Sequence, residues 1–275
     1  MNIVAIVLAA GKGTRMQSRL PKVLHRILGK PMIWWTARLL KNLGLDSFWV
    51  VSDKAKKDIQ QALKSYVDIK YIIQKKRLGT GHAVKIALPK IVGYSNVLIL
   101  HGDSSAFFQP KTIASLINFH KKQKANISIL TLKKNNSDGS GVIIRDKNKN
   151  VIGNIETKSK QFQNCEVNVG VFLFNRDWLE KNINQLQPKK ESGNEYILAD
   201  IINIAGEQKA KINTQPLKNS WEKTHINTPE QLKRANELAK KYLNTKKNII
   251  LRRIYEENCH CRKRGICRIC VCAND

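Results

Sequence analysis

The hydrophobic positions of the chain alternate between short continuous runs and stretches with helical spacing. Continuous apolar runs occur at residues 3–10 and 48–51, and a strand-like segment interrupted by Lys70 occurs at 69–73; between them lie an amphipathic segment at 31–43 and a polar-faced helical segment at 54–64. Continuous runs of this length are typical of strands buried on both faces, whereas the spaced segments are typical of helices that cover those faces. Three successive strand–helix alternations therefore predict an α/β fold with a doubly wound, mostly parallel sheet.

Beyond residue 132 the alternation gives way to a β-rich region with later helices. The pattern predicts a hairpin of strands at 142–145 and 151–157, followed by a strand at 166–174. A final helix begins after Thr228, because threonine is a preferred N-cap and Pro229 suits the first helical position. The other predicted elements are a strand from residue 96 that ends at Asp103, a strand at 126–132, and helices at 110–122, 175–184 and 194–205.

The charge is the unusual feature of the composition. Lys and Arg number 49 against 21 Asp and Glu, which gives a net charge of +28, and 42% of the residues are hydrophobic. Basic proteins can bind nucleic acids, but these lysines are scattered over nearly every predicted helix and turn, without a recognition motif. A lysine-rich solvated surface is therefore favoured over nucleic-acid binding, and its field would steer small anionic substrates toward a cleft. The sequence has no apolar stretch of transmembrane length and no signal-peptide pattern, so we expect a cytoplasmic protein.

The first apolar run leads directly into a glycine-rich basic segment, LAAGKGTRM at residues 8–16. Gly11 and Gly13 allow positive φ and a close approach of the backbone, so that N–H groups can converge on phosphate oxygens. Arg15 and Lys22 add positive charge. The segment lacks the P-loop spacing and the third glycine of the dinucleotide fingerprint. The pattern thus predicts a phosphate site, with an ordinary strand-to-helix turn as the alternative.

A second glycine-rich loop and an aspartate follow later strands. The segment 74–83 leads from a strand into a helix, and Asp103 ends the strand that begins at residue 96. Ligands of open parallel sheets lie outside the carboxyl ends of strands, so both features are expected to adjoin the first loop. Asp103 would suit Mg²⁺, which takes one or two carboxylates together with water and phosphate oxygens. Its alternative role is a helix cap or turn residue. His82 is interpreted as a packing or capping residue rather than a catalytic base.

Taken together, these segments resemble the sugar-phosphate nucleotidyltransferases, and specifically the uridyltransferase domain of the bacterial N-acetylglucosamine-1-phosphate uridyltransferases. The segment 8–16 indicates the superfamily, and the segment 78–83 narrows it to this branch. The resemblance implies a Rossmann-like sheet with a β-rich sugar-binding insertion and a C-terminal helix. Further matching stretches are 21–25, Gln74, 102–103, Gly141, Glu156, 166–170, 195–196, Asp200 and 226–227.

The resemblance also implies a division of the chain. Residues 1–227 would form the nucleotidyltransferase domain, of which 1–124 is mainly nucleotide-binding and 125–227 mainly sugar-binding. Residues 228–257 would form a C-terminal helix and linker. The tail at 258–275 holds five cysteines but one Cys-x-x-Cys pair, whereas structural zinc sites usually have two such pairs. A disordered terminus without a function is therefore favoured over a zinc site.

Site residues follow from the resemblance in the same way. Arg15, Lys22 and Asp103 would be catalytic, and Asp103 and Asn227 would bind Mg²⁺. The acetamido sugar would be held by Gly141, Glu156 and Asn168. The nucleotide would be bound by Leu8, Ala10, Gly11, Gly13, Lys22, Gln74, Gly79 and Thr80.

The implied reaction joins UTP and N-acetylglucosamine 1-phosphate into UDP-N-acetylglucosamine and pyrophosphate, by in-line attack on the α-phosphorus without a covalent nucleophile. In the family pattern, an aromatic residue commonly precedes the glycine before the metal aspartate, and a hydrophobic residue and a proline follow the aspartate. Residues 101–105 lack both features. Another sugar 1-phosphate or nucleotide therefore stays an alternative, as does a basic, non-catalytic nucleic-acid or regulatory binding protein. The chain is too short for the acetyltransferase domain of bifunctional members, and a separate acetyltransferase as its partner is left open. The sequence indicates no particular oligomeric state.

Overall fold

The structure is a computed structural model that describes residues 2–66, 69–137, 139–157 and 162–244. The predicted linker beyond residue 244 and the tail at 258–275 lie outside the described residues. The strands are β1 (Ile3–Ala9), β2 (Arg26–Ile27), β3 (Lys30–Pro31), β4 (Asp46–Val51), β5 (Ile69–Ile73), β6 (Asn96–His101), β7 (Ile127–Asn136), β8 (Val142–Arg145), β9 (Val151–Ile155), β10 (Gln163–Asn175), β11 (Pro188–Lys189), β12 (Glu195–Tyr196) and β13 (Ile212–Pro216). The helices are α1 (Met32–Asn42), α2 (Lys56–Ala62), α3 (Thr80–Ala87), α4 (Pro110–Gln123), α5 (Arg176–Asn182), α6 (Ile201–Glu207) and α7 (Pro229–Asn244).

Nine of the described strands pair into one sheet. Its order is β13-β7-β10-β6-β1-β4-β5, and the hairpin of β8 and β9 is attached to β10. Parallel pairs join β1 to β4 and β6, β4 to β5, and β7 to β13. Within this order β10 runs antiparallel to both of its neighbours. The prediction of a mostly parallel α/β sheet with a β-rich insertion is confirmed.

Helices cover both faces of the sheet, and β1 shows how the sequence achieves this. Val4, Ile6 and Leu8 pack in one apolar core with residues of α3, α5 and α6. Ala5 and Val7 point to the opposite face and pack with residues of α1, α2 and α4. Every residue of β1 is therefore buried, which is why its sequence is continuously apolar rather than alternating. The doubly wound architecture follows from these two cores.

The position of β1 determines where a ligand site can form. The chain passes from β1 to β4 and β5 on one side, and later returns to β6 on the other side of β1. Loops at such a switch in strand order diverge and leave a crevice at the carboxyl ends of the strands. The first glycine-rich loop follows β1, the second follows β5, and Asp103 follows β6.

β10 is a long strand that a bulge divides into two parts. Its pairing with β7 shifts register between Asn168 and Phe172, and Gly170 between them has a φ of 77°. Before the bulge, Val167 pairs with β8; after it, Phe172 pairs with β6. The bulge thus joins the hairpin of β8 and β9 to the main sheet.

The largest difference from the sequence prediction concerns the helix expected at 194–205. Glu195–Tyr196 instead form β12, which pairs with β11, a 3₁₀ turn follows at Leu198–Asp200, and α6 begins at Ile201. The Tyr196 N–H donates to the Leu78 carbonyl (2.8 Å). This tertiary contact with the second glycine-rich loop overrides the local helical pattern.

Smaller differences concern helix boundaries. Pro31 precedes α1 in an extended conformation, and the helix predicted at 54–64 divides into a 3₁₀ turn at Asp53–Ala55 and α2. Thr228 caps α7 as predicted, because the Gln231 N–H donates to its Oγ1 (3.3 Å). Across the described ranges, no helix combines the length and the apolar character that crossing a bilayer requires.

Candidate active site

The loop after β1 forms one wall of a cleft of about 360 Å³. Gly13 has a φ of 65°, in the left-handed region that favours glycine. A Cβ on Gly13 would also lie 2.7 Å from the Lys22 Cβ, so glycine lets the loop pack closely against Lys22. Gly11 does not have a positive φ, so the prediction of that conformation is wrong for Gly11. A Cβ there would meet no atom within 4 Å, and its backbone remains open to a ligand.

Lys22 lies at the centre of four polar residues, Arg15, Lys22, Asp103 and Asn227, which we call the lysine cluster. The Lys22 Nζ forms an ion pair with Asp103 Oδ2 and donates to Asn227 Oδ1 (2.5 Å). The Arg15 guanidinium donates to the same Asn227 oxygen (3.2 Å). Asp103 and Asn227 lie 81 and 205 residues from Lys22 along the chain, so the fold alone brings them together.

The surroundings of Asp103 keep its carboxyl group ionised. Burial raises its pKa, but the charge and the hydrogen bond of the Lys22 ammonium outweigh burial, so the pKa lies below its usual value. Burial lowers the pKa of His101, and burial with the charge of Lys223 lowers the pKa of His225 to about 4. Both imidazoles are therefore neutral at pH 7. The lysine cluster then holds one carboxylate, which pairs with Lys22, and a second cation, Arg15.

Asp103 and Asn227 have the donor atoms that a divalent cation needs. One oxygen from each converges on a single positive charge, the Lys22 ammonium. A carboxylate and an amide oxygen suit Mg²⁺, which takes its remaining ligands from water and phosphate. In the part of the chain that the structure describes, no group of three or more His, Cys, Asp or Glu side chains could hold a metal ion. The residues therefore fit a cation that is completed by a bound phosphate.

The second glycine-rich loop forms the opposite wall and is packed against β12. Gly79 has a φ of 94°, and a Cβ there would lie 2.5 Å from the Tyr196 carbonyl oxygen, so only glycine fits. The Leu198 N–H donates to Thr80 Oγ1 (2.9 Å). Gln74 Nε2 donates to the Gly79 carbonyl (3.0 Å). The end of β5 is thereby tied to the loop that follows it.

The residues predicted to hold a sugar, Gly141, Glu156 and Asn168, form a second group together with Asn154, which we call the amide cluster. A Cβ on Gly141 would overlap both Asn168 Nδ2 and Glu156 Oε1. Asn154 connects the other two side chains, because its Oδ1 accepts from Asn168 Nδ2 (2.7 Å) and its Nδ2 donates to Glu156 Oε1 (2.9 Å). Hydrogen bonds through one buried amide therefore hold this cluster together.

His101 lies between the two clusters. It lines the cleft beside Asp103, and a Cβ on Gly170 of β10 would lie 3.2 Å from its Cδ2. Ser105, in the segment that departs from the family pattern, donates through Oγ to the His101 carbonyl and hydrogen-bonds with Thr36 Oγ1 (2.9 Å). Ser105 thus closes the turn that positions Asp103.

The structure brings most of the predicted site residues to one cleft. The sugar residues Gly141, Glu156 and Asn168 are grouped with one another but do not line this cleft. Their contacts with substrates stay predictions, as do those of the residues in the cleft. The predicted residues that line the cleft are Leu8, Ala10, Gly11, Gly13, Arg15, Lys22, Gln74, Gly79, Thr80, Asp103 and Asn227.

Comparison with known families identifies this arrangement. A family model described as nucleotidyl transferase matches residues 4–240. The chain belongs to the nucleotidyl transferase family. The match includes both glycine-rich loops, the lysine cluster and the amide cluster, so the prediction of an enzyme of this class is confirmed.

Similar curated proteins are named bifunctional protein GlmU. This nucleotidyltransferase is 34% identical over 247 residues to the one from Pelobacter propionicus and 35% identical over 245 residues to the one from Thermoanaerobacter pseudethanolicus. Each alignment covers 88% of this chain but 53% and 52% of the relatives, so the chain spans about half the length of the curated relatives it matches. The predicted resemblance to the uridyltransferase domain is confirmed.

A solved structure has the same fold. It is a candidate glucose-1-phosphate thymidylyltransferase from Bacillus anthracis, with a TM-score of 0.72 and 21% identity. The superposition covers 86% of this chain and 94% of that one. At this identity the likeness supports the architecture of the nucleotidyltransferase and not its substrates.

Sequence reasoning does not find several polar residues of the site, and Arg77 and Asn154 are two examples. Arg77 lines the cleft from the second loop, where its charge before Leu78 and Gly79 was an available signal. Asn154 lies on β9 and is only 2% exposed, among apolar neighbours in the sequence. An amide in a buried strand position is the signal for a required hydrogen-bond partner.

Proposed function

We propose that this nucleotidyltransferase forms UDP-N-acetylglucosamine and pyrophosphate from UTP and N-acetylglucosamine 1-phosphate. The observation that carries the proposal is the lysine cluster, in which Asp103 and Asn227 converge on one positive charge inside a cleft walled by both glycine-rich loops. The similarity to the uridyltransferase domain supports the choice of substrates. The product would be a precursor of the cell wall, and the use of UTP favours a cytoplasmic location.

The first loop would bind the triphosphate. Gly11 leaves its backbone open, and Gly13 turns the chain so that N–H groups near Ala10 can point at phosphate oxygens. Arg15 and Lys22 lie at the same edge and would neutralise the charge that grows on the phosphates during the reaction. The excess of lysine over the whole surface would speed the arrival of anionic substrates.

Asp103 and Asn227 would hold a divalent cation, which we propose is Mg²⁺. Nucleotidyltransferases of this family typically use a divalent metal. When bound, the cation would supply additional neutralisation of the triphosphate. The low pKa of Asp103 keeps its carboxylate ready for this role at neutral pH.

The remaining predicted residues would orient the two substrates. Gln74, Gly79 and Thr80 would contact the uracil and ribose, and the amide cluster would hold the acetamido sugar. The sugar phosphate would then attack the α-phosphorus in line, with pyrophosphate as the leaving group. Alignment and charge neutralisation supply the catalysis, so no covalent nucleophile of the protein is needed.

Pyrophosphate release with UTP and N-acetylglucosamine 1-phosphate, with and without Mg²⁺, tests the proposal. We expect release that requires the metal and that exceeds release with other nucleotides or sugar 1-phosphates. Release with a different pair would revise the substrates but keep the chemistry. A chain that releases no pyrophosphate with any pair, yet binds RNA or DNA in a salt-dependent manner, would overturn the proposal in favour of a non-catalytic binding protein.

A further inference from the structure

Two hydrogen bonds fix the side-chain amide of Gln74 at the edge of the cleft. Its Nε2 lies 3.0 Å from the Gly79 carbonyl oxygen and 2.9 Å from His82 Nδ1. A backbone carbonyl can only accept, so the atom beside it must be the amide nitrogen, which donates. The second hydrogen of the same nitrogen is then directed at His82. Among the described residues, the carbonyl oxygen Oε1 of Gln74 has no hydrogen-bond partner, and Gln74 lines the cleft.

This arrangement determines the state of His82. Because Gln74 Nε2 donates, His82 Nδ1 must carry a lone pair, and the imidazole must be neutral with its proton on Nε2. Burial and the nearby Lys85 both lower the pKa of His82, in agreement with a neutral ring. His82 is the third residue of α3, and Gly79 is the N-cap of the same helix. The ring therefore joins a rigid helix to the end of β5.

We propose that His82 is a positioning residue that makes Gln74 an acceptor only, and that it thereby selects uracil over cytosine. The inference rests on the proposed function, because it takes the base at Gln74 to be uracil. N3 of uracil carries a hydrogen that Oε1 can accept, whereas N3 of cytosine carries a lone pair. With both amide hydrogens engaged, Gln74 has none to offer cytosine, and two acceptors would face each other.

The Gly79 carbonyl accepts from one amide hydrogen of Gln74, and His82 Nδ1 accepts from the other. His82 is therefore the second restraint on the orientation of this amide. In a variant that lacks an acceptor at the position of His82 Nδ1, the second amide hydrogen of Gln74 would be buried and unpaired. The terminal torsion of glutamine is broad, so the amide can then turn and direct an N–H toward an acceptor on the base. Loss of His82 should therefore weaken the discrimination between bases more than it weakens catalysis.

The test compares His82→Leu with His82→Asn, using UTP and CTP with each variant. Asparagine retains an acceptor near the position of Nδ1, whereas leucine removes it and keeps apolar volume. We expect the UTP-to-CTP ratio of kcat/KM, and of affinity measured by calorimetry, to fall about tenfold in His82→Leu. In His82→Asn the ratio should stay within about threefold of the wild type. Ala87→Gly is the control, because it weakens the same helix without touching Gln74.

Several results would overturn the inference. These are an unchanged ratio in His82→Leu, an equal loss of selectivity in His82→Asn, an equal loss in the control, and a proton on Nδ1 of His82 detected by ¹⁵N NMR of the wild type. Calorimetry separates this inference from the proposed function. A wild type that binds UTP in preference to CTP but releases no pyrophosphate counts against the proposed function, while the binding ratios of the variants still decide the role of His82.

Discussion

The lysine cluster and the amide cluster differ in how they are held together. Charge joins the lysine cluster, whose members come from distant parts of the chain. The amide cluster is joined by hydrogen bonds through Asn154, and its members lie on or beside the adjacent strands β8, β9 and β10. The first arrangement can respond to changes of charge, whereas the second defines a shape and a set of donors and acceptors.

This difference suggests a division of work between the two regions. A partly buried ion pair that loses one partner leaves the other charge uncompensated, which is a large effect. A buried neutral hydrogen bond that is lost has a smaller effect, mainly through the unpaired donor or acceptor. We therefore expect changes in the lysine cluster to act on kcat and changes in the amide cluster to act on the KM of one substrate.

The largest effect is expected for Asp103→Asn. The substitution keeps the size of the side chain but removes the charge that pairs with Lys22 and that would bind the cation. We expect kcat for pyrophosphate release to fall by about a thousandfold or more. Asp58→Asn, an exposed carboxylate on α2, is the matched control and should keep wild-type activity. If kcat of Asp103→Asn stays within about tenfold of the wild-type value, the lysine cluster does not have the catalytic role that we assign to it.

Gly79→Ala should have the next largest effect, since it acts on the wall of the cleft rather than on a charge. Its Cβ would meet the Tyr196 carbonyl of β12. We expect the KM for UTP to rise more than about tenfold, and the free energy of unfolding to fall by about 3 kcal/mol. The control is Gly93→Ala, whose φ of 84° is also positive but whose Cβ would meet no atom within 4 Å. Its loss should be about 1 kcal/mol, and equal losses would show that the contact with β12 is unimportant.

Asn154→Ala tests the amide cluster. Asn168 Nδ2 and Glu156 Oε1 would lose their shared partner. We expect the KM for the sugar 1-phosphate to rise about tenfold, while kcat and the KM for UTP change less than about threefold. Asn148→Ala, in the exposed turn between β8 and β9, is the control. A fall in kcat with an unchanged KM for the sugar phosphate would contradict the proposed separation of roles.

The smallest effect concerns His120, which lies beside the start of β6, at the end of the strand opposite Asp103. Here, as in the amide cluster, the side chains are joined by hydrogen bonds between neutral groups. His120 Nδ1 and Nε2 pair with Ser128 Oγ (2.8 Å) and Asn96 Oδ1 (3.0 Å), and burial lowers the pKa of His120 from 6.5 to about 4. Between these values the unfolded chain binds more protons than the folded one. The stability that this group contributes is therefore complete above pH 6.5 and is lost as the pH falls toward 4.

Urea unfolding at pH 7 and pH 5 measures this dependence. We expect the wild type to be less stable at pH 5, and His120→Gln to show a smaller difference between the two pH values. The variant itself should be less stable than the wild type at pH 7, because it breaks the network. An identical pH dependence in both proteins would show that another group is responsible.

The sequence predicts the sheet better than it predicts the site. β1 and β6 are evident because burial on both faces leaves continuous apolar runs. The helix predicted at 194–205 is partly wrong because the Tyr196 N–H of β12 donates to the Leu78 carbonyl, a partner distant in the sequence. Asn227 has no local pattern that marks it, since its partner Lys22 lies 205 residues away, and only the resemblance supplies it. Asn154 is missed because an amide in an apolar strand signals that a partner is needed but does not identify Glu156 and Asn168 as the partners.

The bulge of β10 allows one strand to take part in two regions of the sheet. Gly170 and its neighbours separate the part of β10 that pairs with β8 from the part that pairs with β6. The hairpin of β8 and β9 therefore joins the sheet through β8, while β9 also packs against α6, where the Asn154 N–H donates to Asn203 Oδ1 (2.7 Å). A replacement hairpin with different polar residues must keep this fit, since a Cβ on Gly206 of α6 would lie 2.0 Å from the Ile152 carbonyl oxygen. Within that limit, we expect the shape of the amide cluster to be open to redesign while the register of β6 and the lysine cluster stay unchanged.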